Sequence, residues 1–319
     1  MILFFACDGL KGSWRRQFND NMHRAFEKYK VPFRMAYNVN EGEKLLKRFN
    51  SKDTVIFVGD TQETRWHSLI QQAKGLRVGH KHGGRFVYLD YANFYDFNEE
   101  KEFEECRLFD KIFVNSTSIQ ETYKEYGIET IVTGFPFNFK KLNKYKTEEK
   151  VPNRILINSR LTNDKNPYLL LDFLSTRAKD FEVVFTLPYP YFENDGVKDL
   201  LFNLCRSKQL NWKVHFDLDR ESYYREVAKA EYVLNFAQAE TLGLSVLEAV
   251  YLGAYPVVPN AHGYIDYIPS TQRYEPYSYN HIMDILNSKQ NTSTIKQNYD
   301  YKEVFKHYMK EVGVDVKQR

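Results

Sequence analysis

Several features that define other protein classes are scarce in this chain of 319 residues. It holds only three cysteines, Cys7, Cys106 and Cys205, which are far apart and form no C-x-x-C pair. An odd, scattered set predicts neither a disulfide framework nor a zinc site, so each cysteine is expected to be a small buried apolar residue. No apolar run approaches the ~20 residues that a membrane-spanning helix needs. These absences favour a reduced, cytoplasmic setting.

The segment from Met1 to Cys7 is apolar but lacks the pattern of a signal peptide. Asp8 interrupts it and no basic residue precedes it, so it is predicted to be a first buried strand. We find no internal repeat and no low-complexity tract. Instead, the chain is 43% hydrophobic and 16% aromatic, with a mean hydropathy of -0.58. This composition is typical of a folded protein with a polar surface.

The net charge is only +3, but it is unevenly distributed. Residues 1–85 carry 16 Lys and Arg against 8 Asp and Glu, so the rest of the chain is acidic. A basic N-terminal part predicts a surface for a polyanionic acceptor such as DNA, or for an anionic membrane face. Solvated helix faces explain it equally well, because Lys44, Lys47 and Arg48 follow helical spacing.

Apolar strand runs alternate with amphipathic segments along both halves of the chain. Such alternation predicts an α/β fold with parallel sheets, here two Rossmann-like doubly wound domains. Residues 1–140 are assigned to the first domain and residues 151–300 to the second. The lysine-rich segment that follows Thr133-Gly134-Phe135-Pro136 has little periodicity and is predicted to be the linker. Phe18, Met22 and Phe26 have the spacing of one buried helix face.

The segment from Ala239 to Ala249 carries the strongest functional pattern. It sets two carboxylates eight residues apart, Glu240 on a predicted loop and Glu248 inside the helix that follows. The N-terminus of such a helix favours an anion such as a diphosphate, and the backbone N–H groups of Thr241, Leu242 and Gly243 are expected to contact it. Glu240 can accept hydrogen bonds from sugar hydroxyls, and Glu248 from a ribose diol.

This pattern resembles the E-x7-E signature of the retaining glycosyltransferases of family 4, which adopt the two-domain GT-B fold. Gly243, Gly253-Ala254 and Pro256-Val257-Val258 follow that family in order and spacing. The resemblance implies a retaining transfer from a nucleoside diphosphate sugar, with a UDP-sugar expected, by a front-face displacement in which the donor phosphate accepts the proton. It also implies that residues 301–319 form a helix crossing back to the first domain. Thr241 departs from the usual glycine, which leaves the sugar open.

Two basic residues follow the predicted strand 154–158, Arg160 and Lys165. They resemble the Arg and Lys pair with which the family holds the donor diphosphate. Two fixed cations lower the barrier by binding the charge that develops on a departing nucleoside diphosphate. A basic surface loop is the alternative interpretation. No tightly bound cofactor and no metal site are predicted, although weak stimulation by Mg²⁺ is compatible with this chemistry.

The acceptor side is predicted from two shorter motifs. His80 and His82 stand in a loop expected to face the acceptor, and Gly9 and Gly12 follow the first strand, where backbone can approach a ligand closely. Together they are similar to the DNA α-glucosyltransferases of T-even phages. The implied acceptor is 5-hydroxymethylcytosine in double-stranded phage DNA, modified in the host cytoplasm within a cleft between the two domains.

Other functions remain open at this point. A cell-surface glycan or a lipid-linked molecule is the alternative acceptor. A non-catalytic sugar-nucleotide-binding protein would bind UDP without turning over any donor. A phosphorylase or epimerase of the same fold would need a cofactor lysine or a catalytic carboxylate cluster that we do not find. No role is assigned to His215, His262, His281 and His307, and the oligomeric state is not predicted.

Overall fold

A computed structural model of the chain describes residues 1–6, 14–59, 67–81, 99–146, 148–207, 210–288 and 299–316. These residues divide into two compact units. Unit 1 contains the described residues up to Asn138 together with those from 299 onward, and unit 2 contains the described residues from Phe139 to 288.

The described residues of unit 1 form a six-stranded parallel sheet with the strand order β2-β1-β3-β4-β5-β6. Its strands are β1 (Ile2–Phe5), β2 (Phe33–Ala36), β3 (Thr54–Gly59), β4 (Leu76–Lys81), β5 (Lys111–Val114) and β6 (Ile131–Val132). The helices in the described parts of this unit are α1 (Trp14–Lys28), α2 (Val39–Leu46), α3 (His67–Gln72), α4 (Glu99–Cys106), α5 (Thr117–Glu125) and α11 (Tyr301–Glu311).

Helix α1 buries the face that its sequence predicts. Phe18, Met22 and Phe26 are fully buried, which confirms them as core residues. Phe26 meets Phe305 of the C-terminal helix α11 edge to face, with 4.9 Å between the ring centroids. The last described helix of the chain therefore belongs to the core of unit 1.

Unit 2 repeats the architecture with a second six-stranded parallel sheet in its described residues, in the order β12-β11-β10-β7-β8-β9. Its strands are β7 (Val151–Ile157), β8 (Glu182–Leu187), β9 (Asn211–Phe216), β10 (Ala230–Leu234), β11 (Tyr255–Pro259) and β12 (Arg273–Tyr274). The helices in this part are α6 (Pro167–Arg177), α7 (Asp195–Arg206), α8 (Arg220–Lys229), α9 (Leu244–Tyr251) and α10 (Tyr279–Asn287).

The segment predicted to be a linker without periodicity has regular structure. Residues Phe139–Tyr145 form a 3₁₀ helix. Three residues per turn place Phe139, Leu142 and Tyr145 on one face, and all three are buried. The expectation of little periodicity was wrong, because the lysines between these residues mask a period of three, and the assignment of the segment as a linker stays a prediction.

Other predictions for the chain have mixed outcomes. Cys106 is buried, Cys205 is only half-buried, and Cys7 lies outside the described residues. The sequence pattern missed α4, which is mostly glutamate, the nine-residue helix α10 and the two-residue strand β12. None of the helices in the described ranges is long and apolar enough to cross a membrane.

Candidate active site

The sheet of unit 2 has one point at which the direction of its connections reverses. From β7 the chain moves outward to β8 and β9, then returns to place β10 on the other side of β7. In open parallel sheets, ligands bind beyond the carboxyl ends of the two strands that flank such a point. The loops that leave β7 and β10 carry Arg160, Lys165 and Glu240. The topology therefore places these predicted residues where a ligand site is expected.

Lys165 ends a 3₁₀ helix, Asn163–Lys165, in the loop after β7. Its ammonium group lies 2.9 Å from the Glu240 carboxylate and 3.0 Å from Asp164, and it donates to the Ala239 carbonyl at 3.1 Å. Its side chain is only 8% exposed. A buried ammonium group must be compensated, and the two acidic side chains do this.

Asp164 connects the two predicted cations. Its Oδ2 lies 3.0 Å from Lys165 Nζ and 3.7 Å from Arg160 Nη2, while Thr162 donates to Oδ1 at 2.6 Å. The Asp164 carbonyl accepts from the backbone N–H of Gln238 at 2.9 Å, which ties the β7 loop to the β10 loop. Asp164 was not predicted, although its place between Arg160 and Lys165 could have indicated a role.

The loop after β10 turns back on its own carboxylate. Glu240 Oε1 accepts the N–H of Thr241 at 3.0 Å, and the Gly243 backbone also hydrogen-bonds this side chain. The predicted contact of the Thr241 and Gly243 N–H groups with a diphosphate would therefore have to compete with the Glu240 carboxylate. Leu242 contributes its carbonyl, which accepts from the Tyr267 hydroxyl at 2.9 Å.

Further backbone donors lie in the three residues that directly follow Gly243. The first bond inside α9 joins the Leu247 N–H to the Gly243 carbonyl, so the N–H groups of Leu244, Ser245 and Val246 have no acceptor within the helix. Their partial positive charge favours an anion.

Glu240 is ionised at neutral pH. Burial alone would raise the pKa of its carboxyl group, but the Lys165 ammonium, the Gly243 N–H and nearby His262 outweigh burial and hold the pKa below its ordinary value. The site thus joins a fixed carboxylate to a fixed ammonium.

Glu248 has a different environment from Glu240. It is buried, and its two carboxylate oxygens accept the hydroxyls of Tyr223 at 3.0 Å and Tyr224 at 2.8 Å. Burial raises the pKa of Glu248 above its ordinary value, although both hydroxyls and the Arg220 charge oppose this. A ribose diol would share the Glu248 carboxylate with these two tyrosine hydroxyls or replace one of them.

Asn158, at the end of β7, extends this network. Its amide donates to the Ser245 carbonyl at 2.8 Å and to the Tyr223 hydroxyl at 3.3 Å. The network links the β7 loop to the first turns of α8 and α9. Tyr223, Tyr224 and Asn158 were not predicted, and the only signal in the sequence was the pair of adjacent tyrosines at the start of a predicted helix.

Gly243 has a backbone conformation that its neighbours require. Its φ of +75° is in the left-handed region, and a Cβ atom there would lie 2.4 Å from the Tyr264 ring. A glycine at this position lets the segment after β11 pack directly on the β10 loop. That segment brings His262 close to Glu240 and Lys165, and the side chain hydrogen-bonds the Ala237 backbone. The sequence analysis assigned His262 no role.

Of the predicted acceptor-side residues, His80 is the one that lies within the described part of the chain, in unit 1. His80 is fully buried in β4, where it hydrogen-bonds Asn115 through Nε2 at 2.9 Å and Tyr308 through Nδ1. The prediction that His80 stands in a loop facing an acceptor was wrong, because strand β4 continues through Lys81 and carries His80 into the core. His82, Gly9 and Gly12 lie outside the described residues.

The described ranges contain no group of three or more His, Cys, Asp or Glu side chains arranged to hold a metal ion. The negative charge of a bound anion would therefore be compensated by Lys165, Arg160 and the N-terminus of α9.

Similar proteins define the class of fold. No protein-family model matches the chain. A GT-B glycosyltransferase fold is shown by solved structures that align with almost the whole chain. The structure of HepE from Anabaena in complex with UDP and glucose has a TM-score of 0.68 at 16% identity, over 98% of this chain and 99% of that one. The lipopolysaccharide outer core galactosyltransferase WaaB has a TM-score of 0.67 at 13% identity, again over 98% and 99%.

One curated relative has a higher sequence identity than these two structures, but its alignment covers a smaller part of the chain. The tRNA-queuosine alpha-mannosyltransferase of Drosophila melanogaster is 30% identical over 152 residues, which are 44% of this chain and 39% of the relative. The match therefore spans well under half of that protein's length.

Proposed function

We propose that this chain is a retaining glycosyltransferase that moves a sugar from a UDP-sugar to an acceptor hydroxyl. The observation that carries the proposal is the Lys165–Glu240 pair, with 2.9 Å between ammonium and carboxylate, at the switch point of the unit 2 sheet. One of the two GT-B neighbours described above is a structure with bound UDP and glucose, which supports a UDP-sugar as the donor.

The side chains at the switch point divide into two roles. Lys165, Arg160 and the first N–H groups of α9 would bind the donor diphosphate. Glu240, fixed by Lys165 and by its own loop, would accept hydrogen bonds from sugar hydroxyls. Glu248 would act on the ribose, with Tyr223 giving up its hydrogen bond or carrying the contact itself.

The reaction needs no nucleophile from the protein. The acceptor oxygen attacks the anomeric carbon as the bond from that carbon to the diphosphate oxygen breaks, and a phosphate oxygen takes the acceptor's proton. Front-face attack retains the anomeric configuration, and UDP leaves with the negative charge. Lys165 and Arg160 stabilise the transition state, in which this charge develops, more than they stabilise the ground state. This difference is the source of the rate enhancement.

For the acceptor we infer a hydroxyl on a modified nucleoside of a nucleic acid. The excess of basic residues in positions 1–85 favours a polyanion, and the curated relative is named for a nucleoside of tRNA. Hydroxymethylcytosine in DNA, predicted from the sequence, and queuosine in tRNA share this chemistry. We propose that unit 1 binds the acceptor.

The test is a transfer assay read by mass. The protein is incubated with UDP-glucose, UDP-galactose, UDP-N-acetylglucosamine or GDP-mannose, together with hydroxymethylated DNA, queuosine-containing tRNA, or the unmodified form of each. The nucleic acid is then digested, and the masses of its nucleosides are measured by mass spectrometry. A hexose or N-acetylhexosamine mass on one modified nucleoside, with the donor's anomeric configuration seen by NMR, is expected.

Two outcomes would contradict parts of the proposal. Transfer with an inverted anomeric centre would refute retention. Donor binding with no turnover on any nucleic acid would refute the nucleic-acid acceptor, and glycan and lipid-linked acceptors would then be compared with a non-catalytic binding protein by assaying both acceptor types.

A further inference from the structure

Asp164 lies between the two cations of the candidate site. Its Oδ2 atom is 3.0 Å from Lys165 Nζ and 3.7 Å from Arg160 Nη2. The side chain is only 9% exposed, and Oδ2 itself is buried. An oxygen atom without exposed surface offers no direct contact to a ligand. Asp164 therefore acts on a ligand of this site through its charge and through the two cations.

The contacts of Oδ2 with the two cations are ion pairs and not directed hydrogen bonds. Within the described part of the chain, no group donates a hydrogen bond to this atom, whereas Oδ1 accepts the Thr162 hydroxyl at 2.6 Å. Asp164 is also the one acidic residue that Arg160 contacts among the described residues. The property of Asp164 that the cations sense is thus its charge, because an undirected ion pair depends on distance alone.

Four side chains at the switch point carry charges that cancel. Arg160 and Lys165 are positive, Asp164 and Glu240 are negative, and Lys165 contacts both acids. A diphosphate that binds to the two cations is therefore placed near two carboxylates. Repulsion from these carboxylates weakens its binding, and the repulsion grows with the negative charge of the ligand. The acids thus disfavour the more highly charged of two ligands.

The donor and the product of the proposed reaction differ in charge. Each phosphate of a UDP-sugar is linked on two sides and carries one negative charge. The terminal phosphate of free UDP is linked on one side, and such a group loses a second proton at about pH 6. At pH 8, UDP therefore has one negative charge more than the UDP-sugar. Cations that stabilise the charge of the leaving group would also retain this product.

We propose that Asp164 limits how tightly the donor site holds UDP, so that the product leaves after transfer. The inference rests on the proposed function, because it assigns the diphosphate to Arg160 and Lys165. The Asp164 carboxylate offsets part of their positive charge and disfavours UDP more than the UDP-sugar. Product release limits turnover in many enzymes, so a residue that weakens product binding raises kcat.

Asp164→Asn removes this charge and preserves the other contacts of the residue. Asparagine has nearly the same shape, and its amide oxygen can still accept the Thr162 hydroxyl. The backbone carbonyl at position 164 still accepts the Gln238 N–H, now at 2.9 Å. Lys165 keeps Glu240 as a buried counter-charge. The variant is therefore expected to fold.

Two further variants separate the charge from other effects. Asp164→Glu restores the negative charge and serves as the rescue variant. Asp180→Asn is the matched control, because it removes an exposed aspartate from the same unit. Asp180 lies just before β8, which begins at Glu182, and thus at the amino edge of the sheet, opposite the candidate site.

The probes are UDP and UDP-glucose in calorimetric titrations at pH 8, followed by kcat and product inhibition with the donor that the wild type turns over. We expect Asp164→Asn to bind UDP about tenfold more tightly than the wild type and UDP-glucose about threefold more tightly. Its inhibition constant for UDP should fall by about tenfold, and its kcat by about threefold to tenfold. Asp164→Glu and Asp180→Asn should bind both ligands within about twofold of the wild type.

The salt dependence of the wild type gives a readout that needs no variant. Because the four charges at the switch point cancel, its affinity for UDP should fall by no more than about threefold between 50 and 500 mM NaCl. Asp164→Asn should lose at least about tenfold over the same range, since its site has an unbalanced positive charge.

A purely structural role for Asp164 predicts the opposite sign, because a distorted loop would bind UDP more weakly. Weaker or unaltered UDP binding in folded Asp164→Asn would refute the inference alone, and so would a wild-type kcat despite tighter UDP. If the variant does not fold, a wild-type affinity that falls about tenfold or more with salt would refute it. A wild type that binds neither UDP nor any UDP-sugar would refute the proposed function, and this inference with it.

Discussion

Each unit of this protein buries a lysine among carboxylates, and the two groups differ in a way that separates fold from function. In unit 1, Lys81 is 3% exposed and contacts Glu102 and Glu105 of α4. In unit 2, Lys165 is nearly as buried beside Asp164 and Glu240. Burial and pairing are alike, so neither property identifies a site by itself.

The difference lies in the elements that carry the charges. Lys81 ends a strand and its partners face it from a regular helix, where Tyr123 donates to Glu102 at 2.9 Å. Burial alone would lower the pKa of Lys81, but the two glutamates raise it above its ordinary value. Lys165 and Glu240 stand on two loops at the carboxyl edge of a sheet, next to a helix N-terminus. Ligands bind beyond the strands that flank the switch point of an open sheet, here β7 and β10, whereas β4, which ends at Lys81, does not flank the switch point of unit 1 between β1 and β3.

The strongest test of this comparison is removal of the unit 2 lysine. Lys165→Met should lower kcat by about a hundredfold to a thousandfold, because under the proposed function it removes a fixed charge that stabilises the leaving diphosphate. Steady-state kinetics with the active donor measure this loss. Lys198→Met, on an exposed part of α7, is the control. Wild-type kcat in Lys165→Met would show that the pair is structural, as in unit 1.

The converse change in unit 1 should affect stability and spare the chemistry. Lys81→Met leaves Glu102 and Glu105 without their buried cation, which should cost about 3–5 kcal/mol in the free energy of unfolding. Urea denaturation gives the value, and kcat per folded molecule should stay at the wild-type level. Exposed Lys101 supplies the control substitution. A loss of kcat in folded Lys81→Met protein would mean that unit 1 also has a catalytic charge group.

The two glutamates of the E-x7-E pattern should respond to pH in opposite directions. The folded-state pKa of Glu240 is depressed, so its contribution to stability is present above its ordinary value of 4.5 and is lost as the pH falls below it. The folded-state pKa of Glu248 is raised, so its contribution is present below 4.5 and is lost as the pH rises through the folded value.

Urea unfolding of Glu240→Gln and Glu248→Gln between pH 3 and 7 measures both slopes. The deficit of Glu240→Gln relative to the wild type should shrink on acidification, and that of Glu248→Gln should shrink as the pH rises. Parallel slopes for the two variants would show that the glutamates share one electrostatic environment.

The smallest expected effect concerns two glycines with the same backbone angle. Gly243 and Gly313 both have a φ of +75°, but only Gly243 has neighbours within reach of an added Cβ atom. Gly313→Ala should cost about 1 kcal/mol from the backbone conformation alone. Gly243→Ala should cost a further amount of about 1–3 kcal/mol from its clash with Tyr264. Equal melting temperatures for the two variants would show that the β10 loop yields to the added methyl group.

Much of the fold could be predicted from the sequence because alternation is a local signal. The periods of α1 and of the buried strands around β7 and β10 are visible in the residues themselves, and so is the position of Glu240 and Lys165 at strand ends. The 3₁₀ helix at Phe139–Tyr145 was missed, since a three-residue period in a lysine-rich segment does not stand out.

The parts of the candidate site that could not be predicted depend on long-range packing. His262 and Tyr223 reach the site only because β11 and α8 pack beside the loops of β10 and β7, and no spacing in the sequence records that meeting. The prediction for His80 was wrong for the reverse reason. A polar dipeptide after an apolar run suggested a loop, but Tyr308 and Asn115, far away in sequence, supply the hydrogen bonds that allow it to be buried.

The most direct test of the central claim is a calorimetric titration of UDP-glucose, UDP-galactose and UDP-N-acetylglucosamine into the wild type and into Lys165→Met. If the switch point of unit 2 is the donor site, the wild type binds at least one of these sugars and the variant loses most of that affinity. A wild type that binds none of them, or a Lys165→Met variant that binds as tightly as the wild type, would contradict the account.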